Sequence, residues 1–172
     1  MTRILIYGYG NPGREDDGLG IAFAEAMQKW SRSQNRKNIS FEIDYQLNIE
    51  DAHTISKYDL VLFADASQEK LDHFAVSVVK ASDKVNFTMH TVSPSYVCHL
   101  CSEIFNRDPD TLLLHIRGYQ WKMKEGLSEK AKLNLQLALD YIQSMIDQPE
   151  DWRKQMHASA EILCKENKSS II

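Results

Sequence analysis

Residues 4–20 read ILIYGYGNPGREDDGLG. The apolar run at 4–7 has the length of a buried strand. Gly8, Gly10 and Gly13 follow it with the G-x-G-x-x-G spacing of a dinucleotide-binding turn. Such a turn opens a helix whose N-terminus faces a pyrophosphate. Here the third glycine is followed by Arg14, Glu15, Asp16 and Asp17. Three carboxylates repel a diphosphate, and Arg14 offsets only one of them. The loop's charge suits a cation, because hard and borderline metals take oxygen and imidazole ligands. Acidic residues in a helix's first turn also complement its dipole, so Glu15 or Asp16 alone implies no site.

Outward from this loop the hydrophobic period alternates between that of strands and that of helices. Leu19, Ala22, Phe23, Ala26, Met27 and Trp30 recur at helical spacing over 18–30, and 31–38 reads as a loop. Residues 39–46 alternate as a half-exposed strand does. Asn48 is placed to cap a short helix over 49–56. The uniformly apolar LVLFA at 60–64 predicts a strand covered on both faces, and 74–80 predicts another. Ser93-Pro94 is an N-cap and first-turn proline for a helix over 94–105. Residues 111–116 form a further strand, and Ser128 caps a long helix with the stripe Leu127, Ala131, Leu135, Ala138, Ile142 and Met145. The order β-α-β-α-β-β-α-β-α predicts an α/β domain with a mostly parallel sheet and helices on both faces. One domain is expected over 1–146. Residues 147–172 are expected to form a polar extension, loosely attached and helical through Trp152, Met156, Ala160 and Leu163, then frayed.

Composition narrows the classes. The 172 residues are 43% hydrophobic and 26% charged, with a net charge of −4. That balance offers no basic face for nucleic acid. No apolar run approaches the ~20 residues of a bilayer span, and the N-terminus does not read as a signal peptide. The three cysteines fit reduced thiols in the cytoplasm; a monomer without membrane or nucleic-acid partners is expected.

Ligands of open parallel sheets bind beyond the carboxyl ends of the strands. The acidic loop lies at that edge. So does Asp65, directly after LVLFA, with a helix or turn cap as its ordinary role. His90, in FTMHTVSPSY, precedes the capped helix. An acid of the first loop, Asp65 and His90 make a plausible set for a divalent transition metal. His53 and His73 lie in polar surroundings, His99 beside an apolar stripe, His115 within a strand, and His157 in the tail. Cys98 and Cys101 form a C-x-x-C, but a structural zinc needs two further ligands. The third cysteine, Cys164, is remote. Both residues of the pair fall on the apolar stripe, where cysteine packs as a small hydrophobe.

The blocks ILIYGYGNPGREDDGLG, LVLFADAS, MHTVSPSYV and IRGYQWKMKEGLS, in that order from about residue 3 to residue 146, resemble hydrogenase maturation proteases. These endopeptidases trim the C-terminus of the large subunit of nickel-iron hydrogenases. The resemblance implies a three-layer α/β/α sandwich of phosphorylase/hydrolase-like type with a twisted, mainly parallel sheet. It also implies that three residues contact metal and perform catalysis. The family's first acid lies six residues after the motif asparagine, which is Asp17 after Asn11. Its second acid matches Asp65 and its histidine matches His90. Some members carry glutamate where this chain has Asp17. Gly8, Gly10, Asn11 and Asp16 would form the substrate-binding loop. Gln46-Leu47-Asn48 and the segment 117–125 are expected to touch substrate as well.

The partner so implied is a nickel-iron hydrogenase large-subunit precursor. Its own thiolates carry the nickel, and Asp17, Asp65 and His90 complete the coordination with harder donors. No tightly bound organic cofactor is expected. Asp17 or Asp65 is the general base, or His90 is a ligand only; the sequence leaves these open. Two other readings stand beside this one. A nickel-dependent chaperone that binds the precursor without cutting would use the same three residues. Peptidyl-tRNA hydrolases also open with GNPG after an apolar strand. They need T-R-H-N shortly afterwards and a basic surface, whereas this chain has REDDGLG and a net charge of −4.

Overall fold

The computed structural model describes residues 1–84 and 92–148, together with Trp152 and Lys154. The elements follow the predicted order: β1 (Ile4–Tyr9), α1 (Leu19–Ser33), β2 (Ile39–Asp44), α2 (Asp51–Ile55), β3 (Leu60–Ser67), β4 (Phe74–Val78), α3 (Pro94–Phe105), β5 (Asp110–Arg117) and α4 (Glu129–Asp147). A 3-10 turn, Glu15–Gly18, separates the glycine loop from α1. The sheet order is β2-β1-β3-β5-β4. The first four strands in that order pair in parallel, and β4 runs antiparallel along β5.

Strand alternation divides the core into two layers. Ile4 and Ile6 of β1, Leu60, Leu62 and Ala64 of β3, and Leu112, Leu114 and Ile116 of β5 face one side, where α1 and α4 pack through Phe23, Met27, Ala138 and Ile142. Leu5, Tyr7, Val61 and Phe63 face the other, against Ala52 and Ile55 of α2 and Val97, Cys98 and Cys101 of α3. The architecture is therefore the expected α/β/α sandwich. Helix starts also follow the sequence: Ser93 Oγ accepts from the Tyr96 N–H at 3.2 Å, and Ser128 Oγ from the Ala131 N–H at 3.3 Å.

Some boundaries differ for physical reasons. Helix α1 runs on to Ser33, through residues predicted as loop; Ser31 is buried there, and its hydroxyl donates to the Arg36 carbonyl at 3.2 Å. At α2 the predicted Asn48 cap is reversed: the Asn48 N–H donates to Asp51 Oδ2 at 2.7 Å. Strand β3 does not end before Asp65. It continues because β5 supplies partners for Asp65, Ala66 and Ser67. Trp152 was expected on a loose extension, yet it is fully buried in the layer formed with α1 and α4. Met156, His157, Ala160, Leu163 and Cys164 lie outside the described residues. Among the described residues no helix is long and apolar enough to cross a membrane.

Candidate active site

Strand β1 sends the chain through α1 to β2 on one side. The chain then returns past β1 to β3 on the other. The point where these directions diverge, between the carboxyl ends of β1 and β3, is where open α/β sheets hold ligands. A cleft of about 580 Å³ lies there. Tyr9, Gly10, Asn11 and Asp17 line it from the β1 side, Asp65 from β3, and Gln46 and Leu47 from the loop after β2. Val92, Ser93 and Pro94 close it at the start of α3. The structure thus brings Asp17 and Asp65 to one cavity. His90 lies outside the described residues, two positions before Val92.

The loop is built to present Asp17. Gly10 has φ +140, and a Cβ there would fall 2.1 Å from the Asp17 carbonyl oxygen, so the chain can double back only over glycine. Asn11 closes the turn in two ways. Its Oδ1 accepts from the Gly13 N–H at 2.9 Å, and its own N–H donates to Asp17 Oδ2 at 3.1 Å. The six-residue spacing therefore closes a hydrogen-bonded ring between Asn11 and Asp17. Gly8 does not belong to the substrate loop as expected. It lies in β1 and permits close helix packing, since a Cβ there would meet the Gly20 carbonyl oxygen at 2.2 Å.

Asp16 also departs from its expected role as a substrate-loop residue. It is fully buried. Its carboxylate accepts from the N–H groups of Tyr119, Gln120 and Ser128 at 2.7, 3.0 and 2.7 Å, and from the Ser128 hydroxyl at 2.8 Å. Burial works against its charge, but these donors outweigh burial and hold its pKa below the usual value. Glu15, also buried, accepts from the Lys122 N–H at 2.9 Å. Asp16 and Glu15 thus clasp the segment 117–128 behind the loop. Residues 117–125 of it were expected to touch substrate, but they do not line the cleft.

Asp65 is half-buried, and burial pushes its carboxyl up to about 7. The Asp17 charge adds to that shift, while the Ala66 N–H and the Tyr9 hydroxyl oppose it. The Tyr9 phenol is itself raised well above its ordinary value by burial, by the Asp65 charge and by its bond to Asp65. A pair of carboxylates, one poised near neutrality, supplies hard ligands, a general base, or both in turn. Among the described residues no group of three acidic, histidine or cysteine side chains stands ready to hold a metal ion. Sequence reading missed Tyr9; its only signal was a tyrosine between the two glycines at the end of a buried strand. The wall formed by the loop after β2 is fixed from below, where the Tyr7 hydroxyl donates to Asp51 Oδ2 at 3.1 Å.

The remaining candidates lie elsewhere. Cys98 and Cys101 are free, buried thiols in the α2–α3 layer. Burial raises both, Cys101 to about 11, which disfavours the thiolate needed for redox or metal work. His115 bonds Ser77 Oγ at 2.8 Å, and burial lowers its pKa. His73, expected to be solvated, pairs Nδ1 with Asn134 Oδ1 at 2.9 Å. His53 packs its ring 5.3 Å from that of Phe105.

The fold is an α/β sandwich shared with several solved structures. One solved structure with this fold is the [NiFe] hydrogenase maturation protease HycI from Thermococcus kodakarensis KOD1. It is 20% identical with a TM-score of 0.68, over 86% of this chain and 94% of that one. Another is the hydrogenase maturating endopeptidase HybD from E. coli, 16% identical with a TM-score of 0.64, over 84% and 93% of the respective chains. An uncharacterized protein from Wolinella succinogenes is also similar, at 20% identity and a TM-score of 0.56, over 86% and 98%. No family model and no curated protein matches the sequence.

Proposed function

We propose that this protein is a hydrogenase maturation endopeptidase. In this reading it removes the C-terminal peptide of a nickel-iron hydrogenase large-subunit precursor after nickel has been inserted. The observation that carries the reading is the convergence of Asp17 and Asp65 on one cleft at the β1/β3 switch point, on the fold of HycI and HybD. Nickel is part of the substrate. Thiolates of the precursor hold it, and Asp17, Asp65 and His90 offer oxygen and nitrogen donors. The cleft needs no resident metal for this, and the metal gates cleavage by gripping the substrate beside its scissile bond.

Within the cleft the two carboxylates differ. Asp17 is already ordered by the Asn11 N–H and serves as the fixed ligand. Asp65, raised toward 7 by burial, takes a proton at neutral pH more readily than an ordinary carboxylate. It is the better group to accept one from an attacking water. Tyr9 holds that carboxylate in place through its hydroxyl.

Intact-mass spectrometry of a large-subunit precursor incubated with this protein, with and without nickel loaded, tests the proposal. Loss of a C-terminal fragment only from the loaded precursor supports it. Loss from both keeps the protease and removes the gating. Loss from neither refutes the endopeptidase.

A further inference from the structure

The loop that presents Asp17 also presents a cation without a partner among the described residues. Arg14 is exposed and lines the cleft, yet acids stand next to it in sequence. Each of those acids is engaged elsewhere: Glu15 by the Lys122 N–H, Asp16 by Tyr119, Gln120 and Ser128, and Asp17 by the Asn11 N–H. The backbone under Arg14 is fixed. Its N–H donates to the Asn11 carbonyl at 3.0 Å, and the Glu15 N–H donates to the Lys124 carbonyl at 2.7 Å. A bridge joins Arg14 to Lys124. A guanidinium on an anchored turn loses less freedom on binding than one on a loose loop.

We propose that Arg14 binds a carboxylate of the peptide that enters the cleft and so selects the substrate by charge. The inference rests on the endopeptidase reading. Asp17 and Asp65 disfavour anions in the cleft, so an acidic segment entering it gains from a cation at the rim. The planar fork of arginine matches a carboxylate in bidentate fashion. A peptide carries that group in two places, on an Asp or Glu side chain and at its C-terminus.

The test is the affinity of nickel-loaded precursor for the wild type, Arg14→Gln and Arg14→Lys, with cleavage followed in the same samples. Arg14→Gln is expected to weaken binding roughly tenfold, and Arg14→Lys to restore only part of it, since an ammonium keeps the charge but loses the fork. Two altered precursors separate the sources. One has the acidic side chains of its tail changed to amides. The other has its tail lengthened by a neutral segment that carries the terminus away. The gap between wild type and Arg14→Gln is expected to close with one of them and to name the source. An unchanged affinity in Arg14→Gln overturns the proposal, as does a gap that survives both alterations. A wild type that binds without cutting refutes the endopeptidase and leaves the Arg14 comparison intact. A wild type that does neither overturns both.

Discussion

Replacing Asp65 by Asn is expected to stabilise the metal-free protein while abolishing its activity. The carboxyl moves from 3.8 to about 7 on folding, chiefly through burial. Between those values the native state binds more protons than the unfolded chain, so stability falls as pH rises. Above about pH 7 the full cost is present. A shift of about three units, at about 1.4 kcal/mol each, amounts to about 4 kcal/mol. The amide removes the charge but loses one acceptor toward Ala66 or Tyr9, which returns about 1 kcal/mol. Asp65→Asn should therefore gain about 3 kcal/mol at pH 8, or roughly 6–12 °C in Tm for a chain of this size. At pH 4, where the burial cost is absent and the lost acceptor remains, it should be about 1 kcal/mol less stable. Urea titrations of both proteins from pH 4 to 9 measure the difference. A difference that rises between pH 4 and 7 and then levels off is the expected result. A pH-independent difference, or a variant less stable at pH 8, refutes the argument that burial strains this carboxylate.

The other predictions concern different parts of the chain. Asp16→Ala should destabilise by about 3–5 kcal/mol, because it strands several buried donors; thermal denaturation measures it, and the wild-type contribution of Asp16 should fade as acid protonates the carboxylate. Trp152→Ala should cost about 3–5 kcal/mol, and a loss within error would show that its burial adds nothing to stability. Cys98 and Cys101 should resist alkylation in the native protein and label on unfolding, as peptide mapping would report; rapid native labelling would reopen a redox or metal role. Gly8→Ala should lower stability by several kcal/mol, since the new Cβ has no space against Gly20; an unchanged melting curve would remove the packing role.

Much of this was legible because two periods alternate along the chain. LVLFA and ILIY announce strands buried on both faces, and Ser93-Pro94 and Ser128 announce helix starts that the side chains do make. Asp17 and Asp65 were legible as candidates because both end up at the carboxyl edge of a parallel sheet. What stayed hidden depends on contacts between distant residues. Asp16 looks like Asp17 in sequence, and only the segment around Tyr119 and Ser128 turns it inward. Gly8 and Gly10 look alike too, yet one faces α1 and the other carries the turn. Trp152 follows a polar stretch that hides its place in the core. The Tyr9–Asp65 contact joins neighbouring strands, which no local pattern encodes.

Turnover of nickel-loaded precursor at substoichiometric protein, followed by intact mass over time, separates cleavage from binding. One molecule of this protein is expected to trim many precursors, and Asp17→Asn, folded by circular dichroism, to trim none. Precursor that is bound but never shortened, or equal turnover by Asp17→Asn, would contradict this expectation.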